Sequence, residues 1–167
     1  MINNMNVDLY FLNLINGFAK RYLWLDYLGI FFAEYLGYIL IAFLFFYSLG
    51  ENIGIFLIPI LAGLFSRFAL NELVYLFYKR KRPPDVTNVN LLIKKPKYPS
   101  FPSGHTSFLF AMSFSLFFFN ITLGIVFFVL SFFVSFSRIF VGVHWPADIL
   151  SGIVAGLFSA FFINKII

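Results

Sequence analysis

The chain contains no cysteine, which excludes disulfides, thiol nucleophiles and cysteine metal centres. It is also poor in charge. Asp, Glu, Lys and Arg make up 11% of its 167 residues, under half of the roughly 25% found in soluble proteins. Histidine occurs twice. No internal repeat or low-complexity linker divides the chain, and its length suggests one domain over residues 1–167. The first 20 residues lack a basic stretch followed by a clean apolar core, so no cleavable leader is expected.

What the chain has in excess is hydrocarbon. It is 61% hydrophobic and holds 27 phenylalanines. Several apolar stretches reach about 18 residues or more, the length that spans a bilayer as a helix. Spans are expected at 27–49, 53–78, 103–119, 121–141 and from 146 to about 165, separated by turns at 50–52 and at Asn120 and by loops at 79–101 and 142–145. Pro146 suits the first turn of the last helix. Residues 5–22 mix Val7, Leu9, Phe11, Leu12 and Leu14 with Asn, Asp and Lys. That pattern suits a helix lying in the interface, or else a polar cap on the end of the bundle. The expected fold class is therefore all-α: a polytopic membrane helix bundle of about five transmembrane helices plus an N-terminal interfacial helix. Five crossings put the N-terminal helix and the loops at 79–101 and 141–147 on one face.

The net charge is +5, with the excess concentrated between Lys79 and Lys97. In a membrane chain this points to anionic headgroups or a phosphorylated substrate rather than nucleic acid.

The polar residues that remain have informative spacings. His144 and Asp148, four apart, can share a helical face. A carboxylate on one imidazole nitrogen fixes the tautomer and frees the other nitrogen to attack; a plain interfacial pair is the alternative. Arg138 can grip phosphate oxygens with two parallel bonds or snorkel at a span end. Ser137 can donate to the same oxygens or to a carbonyl of its own helix. Pro102-Ser103-Gly104-His105 precedes an apolar helix, whose first N–H groups can seat an anion. Gly104 permits close approach, Ser103 can bind phosphate or cap the helix, and His105 can protonate a leaving oxygen. Lys79, Arg80 and Lys81 read as a positive stop after a span, whereas Arg82 joins the chemical set. These groups converge on one face and suit cleavage of a phosphate ester or anhydride.

Arg82-Pro83, Pro102-Ser103-Gly104-His105 and Ser137-Arg138-(five)-His144-(three)-Asp148 resemble, in this order, the three signatures of the type 2 phosphatidic acid phosphatase superfamily. Leu25-Asp26 and Ala33-Glu34-Tyr35 after an interfacial helix are similar to elements of its bacterial undecaprenyl-pyrophosphate phosphatase (bacitracin-resistance) branch. The resemblance implies that His144 is the nucleophile of a phosphohistidine mechanism, oriented by Asp148, with His105 as general acid. It implies that Arg82, Arg138, Ser103 and the Gly104 backbone hold the phosphoryl oxygens, and that no metal or other cofactor is needed. In one respect the chain departs from that pattern: the family lysine seven residues before the arginine is here Tyr75. Either Lys79 or Arg80 reaches in as a substrate-binding cation, or the site works with one cation fewer.

Glu34, Arg67 and Glu72 are costly charges inside apolar spans. Arg67 is expected to pair with one of these glutamates; Arg67 and Glu72 are five apart, a poor stacking distance on an α-helix, so Glu34 across the bundle is the better geometric choice. The expected function is hydrolysis of a terminal phosphate from a polyprenyl pyrophosphate in the cell membrane, with the site facing outward. Phosphatidic acid or phosphatidylglycerol phosphate is the alternative substrate, and a non-enzymatic scaffold or carrier a remote one. The expected partners are the lipid phosphate and membrane lipids; oligomeric state is not legible.

Overall fold

The computed structural model describes residues 3–167, with side-chain surroundings given from residue 7. Among the described residues there are six long helices, one 3-10 turn (Pro83–Asp85) and no strand: α1 (Asn3–Asn16), α2 (Leu23–Gly50), α3 (Gly54–Phe77), α4 (Gly104–Leu116), α5 (Ile121–Phe140) and α6 (Pro146–Ile166). Helices α2, α3, α5 and α6 are each long and apolar enough to cross a membrane. Helix α4 has 13 residues, about 20 Å, and ten of them are buried. It packs on α3, α5 and α6, so its flanks meet protein rather than lipid, and it can be both shorter and richer in serine than its neighbours.

The core forms where Leu36, Leu40 and Leu44 of α2 meet Leu109, Met112 and Leu116 of α4 and Phe127 and Val134 of α5. Side chains such as Phe46, Phe132, Leu150 and Phe161 point outward and remain exposed, as a surface solvated by lipid requires. Polar groups turn inward and pair: Asn71 donates to Ser107 at 2.7 Å, and the Ser113 and Ser131 hydroxyls are 2.9 Å apart.

Local chemistry explains the boundaries. The Asn120 side chain caps α5 by accepting from Leu123 N at 3.0 Å. Pro146 opens α6, and Asp148 in its first turn reaches back to Trp145 N at 2.8 Å. Gly142, with φ +84°, turns the chain from α5 toward His144. Two spans each contain a wide π-turn, Phe31–Tyr35 in α2 and Ser66–Leu70 in α3. Each carries a charged residue, Glu34 or Arg67.

Helix α1 carries its polar residues toward the protein. Asp8, Leu12 and Asn16 are buried at four-residue intervals, while Tyr10, Phe11 and Leu14 are exposed. Asn16 Nδ2 donates to Phe140 O at 2.7 Å and to Asn90 O at 3.0 Å. An apolar outer face with polar anchors beneath fits an interfacial helix docked on the loop 79–101. The N-terminal helix, that loop and the α5–α6 connection thus share one end of the bundle.

Candidate active site

Asp148 is fully buried and accepts from four donors: Trp145 N at 2.8 Å, Arg80 Nη1 at 2.8 Å, His144 Nδ1 at 3.2 Å, and the Ser100 hydroxyl. Four donors on one carboxylate hold it ionised and immobile. His144, 1% exposed, is sandwiched between this carboxylate and Arg82, whose Nη1 lies 3.1 Å from the His144 Nε2. A guanidinium can only donate. The proton therefore belongs on Nδ1, facing Asp148, and the lone pair on Nε2, facing Arg82. Burial, together with the charges of Arg82 and Arg138, outweighs Asp148 and pushes the His144 pKa down to about 4. The imidazole is neutral at physiological pH.

Arg82 is itself fixed by carbonyls: Nε donates to Tyr98 O at 2.9 Å, Nη1 to Val143 O at 2.8 Å and Nη2 to Pro99 O at 3.1 Å. Burial, then Arg138, lowers its pKa to about 10, so it keeps its charge at neutral pH. Of a guanidinium's five N–H groups, one on Nη2 has no partner among these bonds. Arg138 is 1% exposed; its Nη1 donates to Glu34 Oε1 at 2.8 Å and Ala33 O at 2.9 Å, while its Nε is buried without a hydrogen bond. A buried, unpaired guanidinium N–H is costly, and this one is free to donate to an anion oxygen.

The start of α4 completes the group. Ser103 N donates to Asp148 O at 3.0 Å, which joins the two helix starts, and the Ser103 hydroxyl accepts from Thr106 at 3.1 Å. Gly104 supplies the first helical residue. A Cβ there would stand 2.5 Å from Arg67 Nε, so the glycine is what admits that side chain. The His105 ring is exposed to a cavity of about 250 Å³ that it shares with Glu34, Arg67 and Gly104. The charges of Arg138, Arg67 and Arg82 all bear on it. His105, Arg82, Arg138, His144 and Asp148, distant in sequence, therefore stand together.

Four expectations change. Ser137 donates to Phe133 O at 2.8 Å and belongs to its own helix, where a carbonyl four residues back satisfies the hydroxyl. Lys79 lines an outer basic cleft of about 620 Å³ with Lys81, Lys95 and Lys97, and Arg82 stands in its wall. Arg80, read as part of a stop signal, instead bridges Asp148 and Asp8, and so replaces no phosphate cation. Arg67 pairs with Glu72 at 2.9 Å, and Glu34 with Arg138. The π-turn at Ser66–Leu70 closes residues five apart, which makes the (i, i+5) pair a neighbour pair. Tyr75, at the family lysine's position, donates to Pro102 O at 2.9 Å and braces the second signature.

Sequence reasoning missed Asp8, Arg80 and Ser100. Asp8 takes Arg80 Nη2 at 2.5 Å and Ala147 N at 2.9 Å, so α1 is tied to the support of His144. The available signal was a lone Asp on an otherwise apolar-faced helix.

A model of the PAP2 superfamily matches residues 56–167. The chain belongs to the PAP2 superfamily. This PAP2 phosphatase is 34% identical to the bacitracin transport permease protein BcrC of Bacillus licheniformis, over 96% of this chain and 80% of that one. It is 31% identical to an undecaprenyl-diphosphatase of Sulfolobus acidocaldarius, over 93% and 75% of the two chains. Its fold matches the crystal structure of Aquifex aeolicus LpxE with a TM-score of 0.81 at 27% identity, covering 99% of each chain. It is a multi-pass membrane hydrolase acting on phosphoric esters or anhydrides.

Proposed function

We propose that this PAP2 phosphatase, as one domain over residues 1–167, removes the terminal phosphate of an undecaprenyl-type pyrophosphate through a phosphohistidine. The single observation that carries the mechanism is the placing of the His144 ring between the Asp148 carboxylate on Nδ1 and the Arg82 guanidinium on Nε2, which puts the hydrogen on Nδ1 and leaves the lone pair on Nε2. Nε2 attacks the terminal phosphorus. The bridging P–O bond breaks, its electron pair goes to the leaving phosphate oxygen, and His105 supplies the proton. Water then attacks the phosphorus of the phosphohistidine and loses a proton to His105; the P–N bond breaks, its electron pair returns to Nε2, and inorganic phosphate departs with His144 restored.

Arg82 and Arg138 hold the phosphoryl oxygens and the charge that builds on them. In the resting site Arg82 shields Nε2; an arriving phosphate draws that guanidinium to itself and bares the nucleophile. The Ser103 hydroxyl and the Gly104 N–H complete the cradle. Asp148 orients His144, and the outer basic cleft around Lys79 draws the anionic headgroup inward.

The diphosphate reading is supported by the undecaprenyl-diphosphatase relatives and by the apolar walls that continue from His105, among them Phe68, Phe108 and Leu109. We place the site on the outer face of the cell membrane. The basic loop then serves substrate rather than topology, and labelling of loop 79–101 from outside intact cells tests it. The mechanism is tested by metal-free phosphate release in detergent with His144→Ala, and by acid-labile transfer of label from a terminally labelled diphosphate to wild type. Wild-type activity in His144→Ala would end it. A panel including phosphatidic acid and phosphatidylglycerol phosphate decides the substrate.

A further inference from the structure

Arg67 is a cation that the proposed hydrolytic steps do not use, and it stands at the site. Its Nη1 goes to Glu72, whose side chain is 45% exposed. Its Nε lies against Gly104, and its guanidinium sits 5.1 Å from the Phe68 ring, 5.6 Å from Tyr98 and 5.9 Å from Tyr75. Three rings and one carboxylate surround the fork in the wall of the cavity onto which His105 opens.

The placement is asymmetric. Arg82 is bonded beside the His144 nitrogen that attacks. Arg67 shares the cavity of His105, the proposed acid for the departing oxygen. Attacking and leaving atoms lie roughly in line across a transferred phosphoryl, so Arg67 flanks the leaving group. Beyond it the cavity becomes apolar, along Phe68, Phe108 and Leu109.

A leaving alcohol carries no charge after protonation and offers a guanidinium only a neutral acceptor. A leaving lipid monophosphate is an anion attached to hydrocarbon, which matches a cation at the head of an apolar cavity. We infer that Arg67 binds the departing phosphate and so selects lipid diphosphates over lipid monoesters. This rests on the reading of His144 as nucleophile and His105 as acid, and adds to it the group that recognises the second phosphate.

The test compares two probes with one hydrocarbon, farnesyl diphosphate and farnesyl monophosphate. Arg67→Gln is expected to lower kcat/KM for the diphosphate about 10- to 100-fold, the range of a charge-assisted bond, and for the monophosphate less than about threefold. Arg67→Lys keeps the charge but loses the fork, and is expected to give an intermediate ratio. If Arg67→Gln fails to fold, the lysine variant carries the test: a drop in the diphosphate-to-monophosphate ratio of threefold or more supports the inference, and an unchanged ratio overturns it. Equal losses on both probes in a folded variant also overturn it and assign Arg67 a structural role. Wild type that hydrolyses the monophosphate and not the diphosphate overturns the diphosphate reading itself. Wild type active on both, with variants that keep the ratio, overturns this inference alone.

Discussion

Arg80 donates to Asp148 at 2.8 Å, on the carboxylate oxygen opposite the one that meets His144. Its other terminal nitrogen holds Asp8 of α1. The interfacial helix is thereby connected to the nucleophile through one guanidinium and one carboxylate. Arg80 touches neither reacting nitrogen of His144 and acts as a positioning residue.

Arg80→Met removes the strongest donor to a fully buried carboxylate. Loss of one partner from a buried pair costs about 3–5 kcal/mol, the remaining charge being uncompensated. Ser100, Trp145 N and His144 remain on Asp148, so the lower end applies. The expected result is a lower thermal midpoint and a kcat reduced about 10- to 100-fold with little change in KM. Asp8→Asn, which leaves the Arg80–Asp148 bond in place, loses less of both. Steady-state kinetics and melting in detergent check the two variants together.

How far the sequence could be read depends on the range of each interaction. His144 and Asp148 are four apart, a spacing that permits the pairing without deciding it; His144 lies just before the helix that opens at Pro146, and the turn at the N-cap brings its ring to the carboxylate. The long apolar runs give the helices and their parity, which brings Arg82, His105 and Arg138 to one end. The jobs of the basic run were hidden by its conformation. From Tyr78 to Arg82 the chain is extended rather than helical, so residues two apart share a side: Arg80 meets Asp148 and Arg82 meets His144. Ser100 and Arg80 find Asp148 across 48 and 68 residues, a separation that carries no periodic signal. The Arg67–Glu72 pair depends on a π-turn, which a 3.6-residue pattern does not reveal.

On the proposed mechanism Glu34 competes with substrate for Arg138. Its carboxylate is 43% exposed while Arg138 is 1% exposed, so an incoming phosphate can take over the cation while Glu34 turns to solvent. Arg138→Met is expected to lower kcat/KM at least 100-fold, in the range of a lost oxyanion donor. Glu34→Gln keeps a hydrogen bond and removes the rival charge. KM is expected to fall severalfold, with kcat falling too because Arg138 is held less well. A raised KM in Glu34→Gln would instead show that the carboxylate works only as scaffold.

Acid sensitivity follows from the His144 pKa of about 4. Only the neutral ring attacks, so the kcat/KM profile is expected to stay free of a His144 limb down to about pH 5 and to fall through pH 4. The sign for stability runs with it. The unfolded ring takes a proton below about pH 6.5, while the folded ring does so only near 4. Falling pH between those values favours the unfolded chain, by roughly 3 kcal/mol in full. His144→Ala removes this linkage. Its thermal midpoint is expected to decline less than that of wild type between pH 7 and pH 5, measured in the same detergent.

Gly152 and Gly156 set how closely α4 and α6 approach, the small-residue spacing that lets membrane helices meet backbone to backbone. A Cβ on Gly152 would lie 3.0 Å from Ser103 O and 2.9 Å from Thr106 Cβ. One on Gly156 would lie 2.8 Å from Ala111 N and 2.9 Å from Ser107 O. These neighbours are chiefly backbone and cannot swing aside, so each alanine variant is expected to cost about 1–3 kcal/mol of stability by overpacking. Their effects on activity should differ. Gly152 lies one turn after Asp148 and presses on the carbonyl of Ser103, whose N–H is bonded to Asp148 O. Gly152→Ala therefore shifts the start of α4, and with it His105, and kcat is expected to drop at least tenfold. Gly156→Ala acts a turn deeper and leaves kcat within about threefold at a temperature where the variant is folded. Equal kcat in the two variants would mean that the α4–α6 contact sets stability alone, with no part in placing His105.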